Sequence, residues 1–312
     1  MSTPRLLQLC PLSPVLDAAL AQHFDVQTWW NQSDPQAFLD HHGAGIQAVA
    51  TSAQQGVPTT LMDALPDLKI ISSRGVGMDK IDLDVAKARG IAVAGSFGTL
   101  DDCVADLAMG LVIDVMRQIS AADRYVRAGH WQQARYPLSV RVSGKRLGLV
   151  GFGNIGQVIA RRAGGFDMEV RYYSRRPVQG SALVHEADLL ALARWCEVLV
   201  VAVSGGASTR HLISAEVLDA LGPQGFLVNI ARGSVVDEAA LVAALSDRRI
   251  AGAGLDVFAD EPHAPEVLLT LDNVVLAPHM GSGTHETRTA MEDLVLANLR
   301  HYFEAGTVLT PA

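Results

Sequence analysis

Cysteine is scarce in this 312-residue chain, which has three, Cys10, Cys103 and Cys196, scattered singly. That spacing builds neither a disulfide framework nor a zinc cluster, so no metal site is expected and each thiol reads as a small apolar packing residue. Positive charge is short as well. Lys and Arg total 25 against 33 acidic residues, a net charge of −8, which gives no general electrostatic reason to bind nucleic acid or an anionic membrane. No uninterrupted apolar run nears the ~20 residues needed to cross a bilayer. The N-terminus lacks the order of a secretory signal, and a cytoplasmic location is expected. Low-complexity tracts and fixed-period repeats are missing too. What is present is apolar material: 49% of residues are hydrophobic and 19% charged, enough to bury a large core. At this length two compact units are expected.

Short runs of Val, Ile and Leu alternate with stretches of helical period, the pattern of parallel sheets with helical crossovers. The first third offers strands at Leu6–Cys10, Val26–Trp30, Ala48–Ser52, Lys69–Ser73 and Ile91–Ala94. From Leu100 to Ile119 an apolar stripe predicts one long helix. Six further strands follow, at Leu147–Val150, Glu169–Tyr173, Val198–Val203, Phe226–Ile230, Ala253–Val257 and Val274–Ala277, a complete dinucleotide-fold sheet. The stretch Thr284 to Ala305 predicts a helix ending at Gly306. It has no strands of its own and is expected to return to the N-terminal domain. The expected class is α/β with two parallel-sheet domains. A Rossmann dinucleotide-binding domain, residues 98–281, is inserted into a discontinuous flavodoxin-like substrate domain, residues 1–97 and 282–312.

The most specific local feature is Gly151-Phe152-Gly153-Asn154-Ile155-Gly156, directly after an apolar run and before a helical pattern. Gly151 would make the tight turn, Gly153 would let a pyrophosphate approach the backbone, and Gly156 would let helix and strand pack closely. The alternative is an ordinary glycine-rich turn. Where NAD-preferring sites carry an acid at the end of the second strand, this chain has Ser174-Arg175-Arg176. A hydroxyl and two guanidiniums suit a 2′-phosphate, so NADPH is expected over NADH. A solvated basic loop without a ligand is the competing reading.

Arg232, Glu261 and His279 each lie just beyond the carboxyl end of a predicted parallel strand, the edge where open α/β sheets bind ligands. Hydride transfer to a ketone leaves an alkoxide that needs a proton, and a histidine beside a carboxylate is suited to give one. The guanidinium of Arg232 can bind the carboxylate of a 2-oxo acid and polarise its carbonyl. Unrelated polar residues at loop starts would look the same one at a time; the combination points to chemistry. His285 reads as a surface residue. In the first domain, the Gly75-Val76-Gly77 turn would expose the Val76 and Gly77 N–H groups to a carboxylate. A turn that needs glycine for its own geometry accounts for it equally well.

Together these residues resemble the D-isomer-specific 2-hydroxyacid dehydrogenase family over essentially the whole chain. The likeness rests on the glycine loop, Asn229-Ile230-Ala231-Arg232-Gly233, Gly254-Leu255-Asp256-Val257-Phe258 with Glu261-Pro262, and Pro278-His279-Met280-Gly281-Ser282. Val76-Gly77-Met78-Asp79-Lys80-Ile81-Asp82 and Val104-Ala105-Asp106-Leu107-Ala108 look like the glyoxylate/hydroxypyruvate reductase branch. The resemblance implies a homodimer, a cleft between two domains, and the three roles just argued. It also implies that Ala231 and Asp256 lie by the cofactor, Asp256 near the nicotinamide carboxamide, and that the segment from Arg117 to Arg141 joins the dimer contact. Two positions depart from the pattern. Asp101 stands where Thr is commoner near the cofactor, and Arg74 stands where a small or apolar residue is usual, either to meet a second negative charge or a polar side chain of the substrate or to point into solvent.

The expected activity is NADPH-dependent reduction of glyoxylate, hydroxypyruvate or a related 2-oxo acid to the 2-hydroxy acid, in the D form where chiral. A phenylpyruvate-type reductase and a non-catalytic dinucleotide-sensing scaffold are the alternatives. Formate or phosphite oxidation fits less well, because formate oxidation needs no proton donor to an oxyanion. Trp131 and Met280 are candidate pocket walls, with core or interface packing as the plainer reading.

Overall fold

A computed structural model describes residues 3–312. The chain divides into two compact units, one running to Leu100 and resuming at Thr284–Ala312, the other Asp101–Gly283. The junctions fall three and two residues later than the sequence suggested, because each coincides with the start of a long helix.

The first unit holds β1 (Arg5–Gln8), β2 (Asp25–Thr28), β3 (Ile46–Ser52), β4 (Ile70–Arg74) and β5 (Ala92–Gly95). They form one parallel sheet in the order β2-β1-β3-β4-β5, the flavodoxin-like order. Both faces are covered, which is why β3 and β4 read as nearly unbroken apolar runs. On one face Leu7, Val49 and Ile71 pack against Phe38, Met62 and Leu65. On the other, Leu6, Ala48 and Ile70 meet Leu16, Leu20, Val295 and Leu299. The last two come from the terminal helix His285–Ala305, which starts at Thr284, whose hydroxyl accepts the Thr287 N–H, and stops at Gly306 with φ 75°. This helix thus completes the first unit's core, and truncating a fully buried leucine such as Leu299 to alanine would cost about 3 kcal/mol.

The second unit holds β6 (Arg146–Val150), β7 (Glu169–Tyr173), β8 (Val184–Glu186), β9 (Val198–Val201), β10 (Phe226–Asn229), β11 (Gly252–Leu255) and β12 (Val274–Leu276). All are parallel, in the order β12-β11-β10-β9-β6-β7-β8. Outward from β6 this is the Rossmann pattern with one strand added at the β12 edge. The sheet therefore has seven strands where six were expected. The strand missing from the expected set is β8, three residues long and reading Val-His-Glu, with no apolar run to announce it. The long helix also differs from expectation. It runs Asp101–Arg117, breaks at Gln118 with φ 56°, and a second helix spans Ile119–Arg127. The Ser120 N–H donates to Asp114 Oδ1 at 2.8 Å across the break, a bond that an apolar stripe does not reveal. Among the described residues no helix is long and apolar enough to cross a membrane.

Candidate active site

Every polar group discussed first lies in the second unit. After β6 the chain turns at Gly151 with φ 99°, and a Cβ there would sit 2.6 Å from the Ala202 carbonyl oxygen. A Cβ on Gly156 would sit 2.5 Å from the Gly151 carbonyl oxygen, so both positions require glycine for packing. Gly153 is different. Its φ of −76° suits any residue, and a Cβ there would meet nothing within 4 Å. Neither backbone nor neighbours demand glycine at this point; what its absence of side chain provides is open space in front of the helix Asn154–Gly164. That helix begins without a side-chain cap, leaving first-turn N–H groups for an anion. Gly153 and Asn154 are exposed and Ile155 is half-buried. These residues fit a dinucleotide diphosphate. Asp101 hydrogen-bonds the Asn154 side chain; burial pushes the Asp101 carboxyl above its usual range, opposed by that bond and assisted by Asp102.

Beyond β7, the Ser174 hydroxyl donates to the Arg176 carbonyl at 2.6 Å, closing a tight turn rather than facing outward. Arg175 and Arg176 are exposed, and neither guanidinium is taken up by an ion pair among the described residues. The loop thus presents two uncommitted cations next to the glycine turn, with no acid at the strand end to repel a phosphate.

The chemistry-bearing trio is held by a dense set of bonds. His279 follows β12 with φ 50°, a left-handed conformation that costs about 1 kcal/mol in a residue with a side chain. Asp256 holds it there. Its carbonyl accepts the His279 N–H at 2.8 Å, and its two carboxylate oxygens accept the Met280 and Gly281 N–H groups at 2.7 and 2.8 Å. Asp256 is 2% exposed. Burial drives its carboxyl upward, while the two N–H donors and His279 pull it down. The sequence offered Asp256 as a cofactor neighbour; the structure adds that it fixes the histidine-bearing turn.

His279 Nδ1 lies 2.7 Å from Glu261 Oε2, and Glu261 Oε1 accepts the Phe258 N–H at 3.2 Å. Burial would raise the Glu261 carboxyl, but the bond and charge of His279, the Phe258 N–H and the charge of Arg232 together hold it below the usual range. Glu261 is therefore an anion, half-buried, with both oxygens engaged. Arg232 is close enough to act on it electrostatically, and its Nη1 donates to the Ala231 carbonyl at 2.8 Å. Asn229, missed as a site residue, secures this corner: its side chain accepts the Ala231 N–H and donates to the Arg232 carbonyl, each at 3.0 Å. Gly233 seats the corner against the next strand's exit, since a Cβ there would lie 1.9 Å from the Phe258 carbonyl carbon. The Asn and Gly of the Asn-Ile-Ala-Arg-Gly run carried the signal for both. The structure thus brings Arg232, Glu261 and His279 together.

In the first unit, Gly75 has φ 141°, and its Cβ would meet the Ala53 Cβ at 2.6 Å. Glycine is needed there for the fold itself. The Val76 and Gly77 N–H groups are not consumed by the backbone bonding of the turn. Arg74 does neither thing considered for it. Its Nη1 lies 2.8 Å from Glu292 Oε1 with both side chains largely buried, and the Ser13 hydroxyl donates to the other carboxylate oxygen. Its charge is committed within the unit, and removing either partner would leave a buried charge at a cost of about 3 kcal/mol. Trp131 and Met280 are 66% and 45% exposed, so neither is core. His285 is exposed, as expected. Of the cysteines, Cys196 is buried, while Cys10 and Cys103 are partly exposed rather than packed away. No cluster able to hold a metal occurs among the described residues.

Comparison with known proteins places this geometry. The family model for the D-isomer specific 2-hydroxyacid dehydrogenase NAD binding domain matches residues 109–281. The chain is 47% identical over 310 residues to a 2-ketogluconate reductase of Gluconobacter oxydans, covering 99% of each. It is 43% identical over 311 residues to glyoxylate/hydroxypyruvate reductase A of Arabidopsis thaliana, covering 100% of this chain and 99% of the relative. Among solved structures, an NADPH-dependent glyoxylate/hydroxypyruvate reductase of Sinorhizobium meliloti, in complex with NADP and malonate, superposes with a TM-score of 0.94 at 41% identity. That match covers 100% of this chain and 97% of the other.

Proposed function

The chain belongs to the D-isomer-specific 2-hydroxyacid dehydrogenase family, and we propose that it reduces a small 2-oxo acid of the glyoxylate/hydroxypyruvate kind with NADPH. The product is the 2-hydroxy acid, in the D form where chiral. The observation that carries this reading is the 2.7 Å contact of His279 Nδ1 with Glu261 beside Arg232. Since a carboxylate only accepts, Nδ1 holds a proton toward Glu261 and Nε2 is the nitrogen available to the reaction.

When bound, the nicotinamide supplies the hydride to the carbonyl carbon. His279 delivers the proton from Nε2 to the carbonyl oxygen, and the neutral ring that remains keeps its Nδ1–H on Glu261. Arg232 fixes the substrate carboxylate and stabilises the developing oxyanion. Gly151, Gly153, Asn154, Ile155 and Gly156 would hold the diphosphate, Arg175 and Arg176 with the Ser174 turn the 2′-phosphate, and Ala231 and Asp256 the nicotinamide end. In the other unit, the Val76 and Gly77 N–H groups suit a carboxylate.

Initial rates of NADPH and NADH oxidation with glyoxylate, hydroxypyruvate, pyruvate, phenylpyruvate and 2-ketogluconate test the reading. NADPH with a small 2-oxo acid should give the highest kcat/KM. A maximum with 2-ketogluconate would favour the second reading, a sugar-acid reductase, which the 47% identical relative supports. No turnover with any pair would favour a dinucleotide-sensing scaffold. A homodimer is proposed with it, since Ile119, Val126, Trp131 and Leu138 stand exposed along one stretch of the second unit. Light scattering should return twice the 33.2 kDa chain mass. Among the described residues none of the three cysteines forms a disulfide, which suits a reducing compartment, and we place the protein in the cytoplasm.

A further inference from the structure

The guanidiniums of Arg175 and Arg176 stand in solvent, so the backbone beneath them sets the place from which they reach a ligand. Three bonds set that backbone. The Ser174 hydroxyl donates to the Arg176 carbonyl at 2.6 Å. The Val178 N–H donates to the Tyr172 hydroxyl at 2.9 Å. The Ser174 carbonyl lies 2.9 Å from Nε2 of His185, a residue of β8 that sits opposite Tyr172 in the sheet. A carbonyl only accepts, so Nε2 carries a proton here, in the neutral ring and in the imidazolium alike.

The same histidine belongs to an aromatic column. Its ring lies 5.2 Å from that of Tyr172, and Tyr172 stacks on Phe152 at 4.1 Å with 20° between planes. Phe152 is the residue between Gly151 and Gly153. One column therefore joins the turn that would receive the diphosphate to the loop that would receive the 2′-phosphate, and His185 is its outer end.

We propose that His185 is a positioning residue for cofactor choice: by fastening the Ser174 carbonyl it aims Arg175 and Arg176 at the 2′-phosphate and so sets the preference for NADPH over NADH. The proposal rests on the basic loop being the 2′-phosphate site. His185 itself touches neither cofactor nor substrate in this account, so its loss should leave kcat with saturating NADPH within twofold of wild type.

The test is kcat and KM for NADPH and for NADH in wild type, His185→Ala, His185→Phe, His185→Gln and the double variant Arg175→Ala/Arg176→Ala. His185→Ala and His185→Phe should each lower the NADPH/NADH ratio of kcat/KM about fivefold, the weight of one backbone hydrogen bond. His185→Gln, whose side-chain amide can donate from the same place, should restore the ratio to within twofold. His185→Phe keeps the ring without the donor, so it gives the answer even if the alanine variant folds poorly. A ratio unchanged in His185→Phe, or a parallel fall for both cofactors, overturns the proposal. If the arginine double variant collapses the ratio while the histidine variants do not, His185 alone has been misread. If the double variant also leaves the ratio unchanged, the phosphate reading of the loop falls with it.

Discussion

The second unit carries two functional regions built on opposite principles. Around His279, nearly every polar atom is committed: Glu261 by both oxygens, Asp256 by both oxygens, Asn229 by both ends of its amide. Around Ser174, the backbone is fastened but Arg175 and Arg176 are left in solvent. The difference follows from the task. A proton donor must be held to within a few tenths of an ångström and a few degrees, which a half-buried network of charge-assisted bonds achieves. A phosphate at the far end of a cofactor needs only exposed cations rising from a fastened backbone, and their loss costs affinity rather than chemistry.

Substitutions in the two regions should therefore damage different constants. His279→Ala should have the largest effect, lowering kcat by about 10³-fold, the usual weight of a general acid, with KM for NADPH little changed; stopped-flow single turnovers would check it. Arg232→Ala should lower kcat/KM for the 2-oxo acid by about 10²-fold through lost oxyanion stabilisation, measurable with the same assay. Arg175→Ala/Arg176→Ala should leave kcat alone and raise KM for NADPH about tenfold, with no change for NADH, in steady-state titrations. Asp101→Asn should have the smallest effect. Removing a carboxyl bonded to Asn154 at the diphosphate turn should lower KM for both cofactors alike, by about twofold. A loss of kcat in the arginine variant, or of cofactor affinity alone in His279→Ala, would erase the contrast.

Much of this was readable from the chain because covalent neighbours carry it. The glycine turn announces itself by spacing, and Arg232, Glu261 and His279 each follow a run of apolar strand residues whose parallel register fixes where the strands end. The remainder depends on partners far apart in sequence. Arg74 is neutralised by Glu292, 218 residues away, and nothing in the local sequence distinguishes that fate from solvent. Asp256 clamps a turn 24 and 25 residues later, which its own neighbourhood does not disclose. β8 exists because three residues pair with β7, not because they form an apolar run, and the break at Gln118 reflects a backbone conformation that helical periodicity cannot register.

The most direct test of the central claim is the pH dependence of kcat/KM for hydroxypyruvate reduction in wild type and Glu261→Gln. In the wild type the rate should depend on Glu261 being ionised. On the acid side it should persist below the usual glutamate range, because Glu261 is held ionised there by His279, Phe258 and Arg232 against the opposing effect of burial. An amide cannot ionise, so Glu261→Gln should lower the rate across the range and should lose the acid-side fall that comes from protonating Glu261. A profile identical in both proteins would contradict the assignment of His279 and Glu261 as the proton-donating pair.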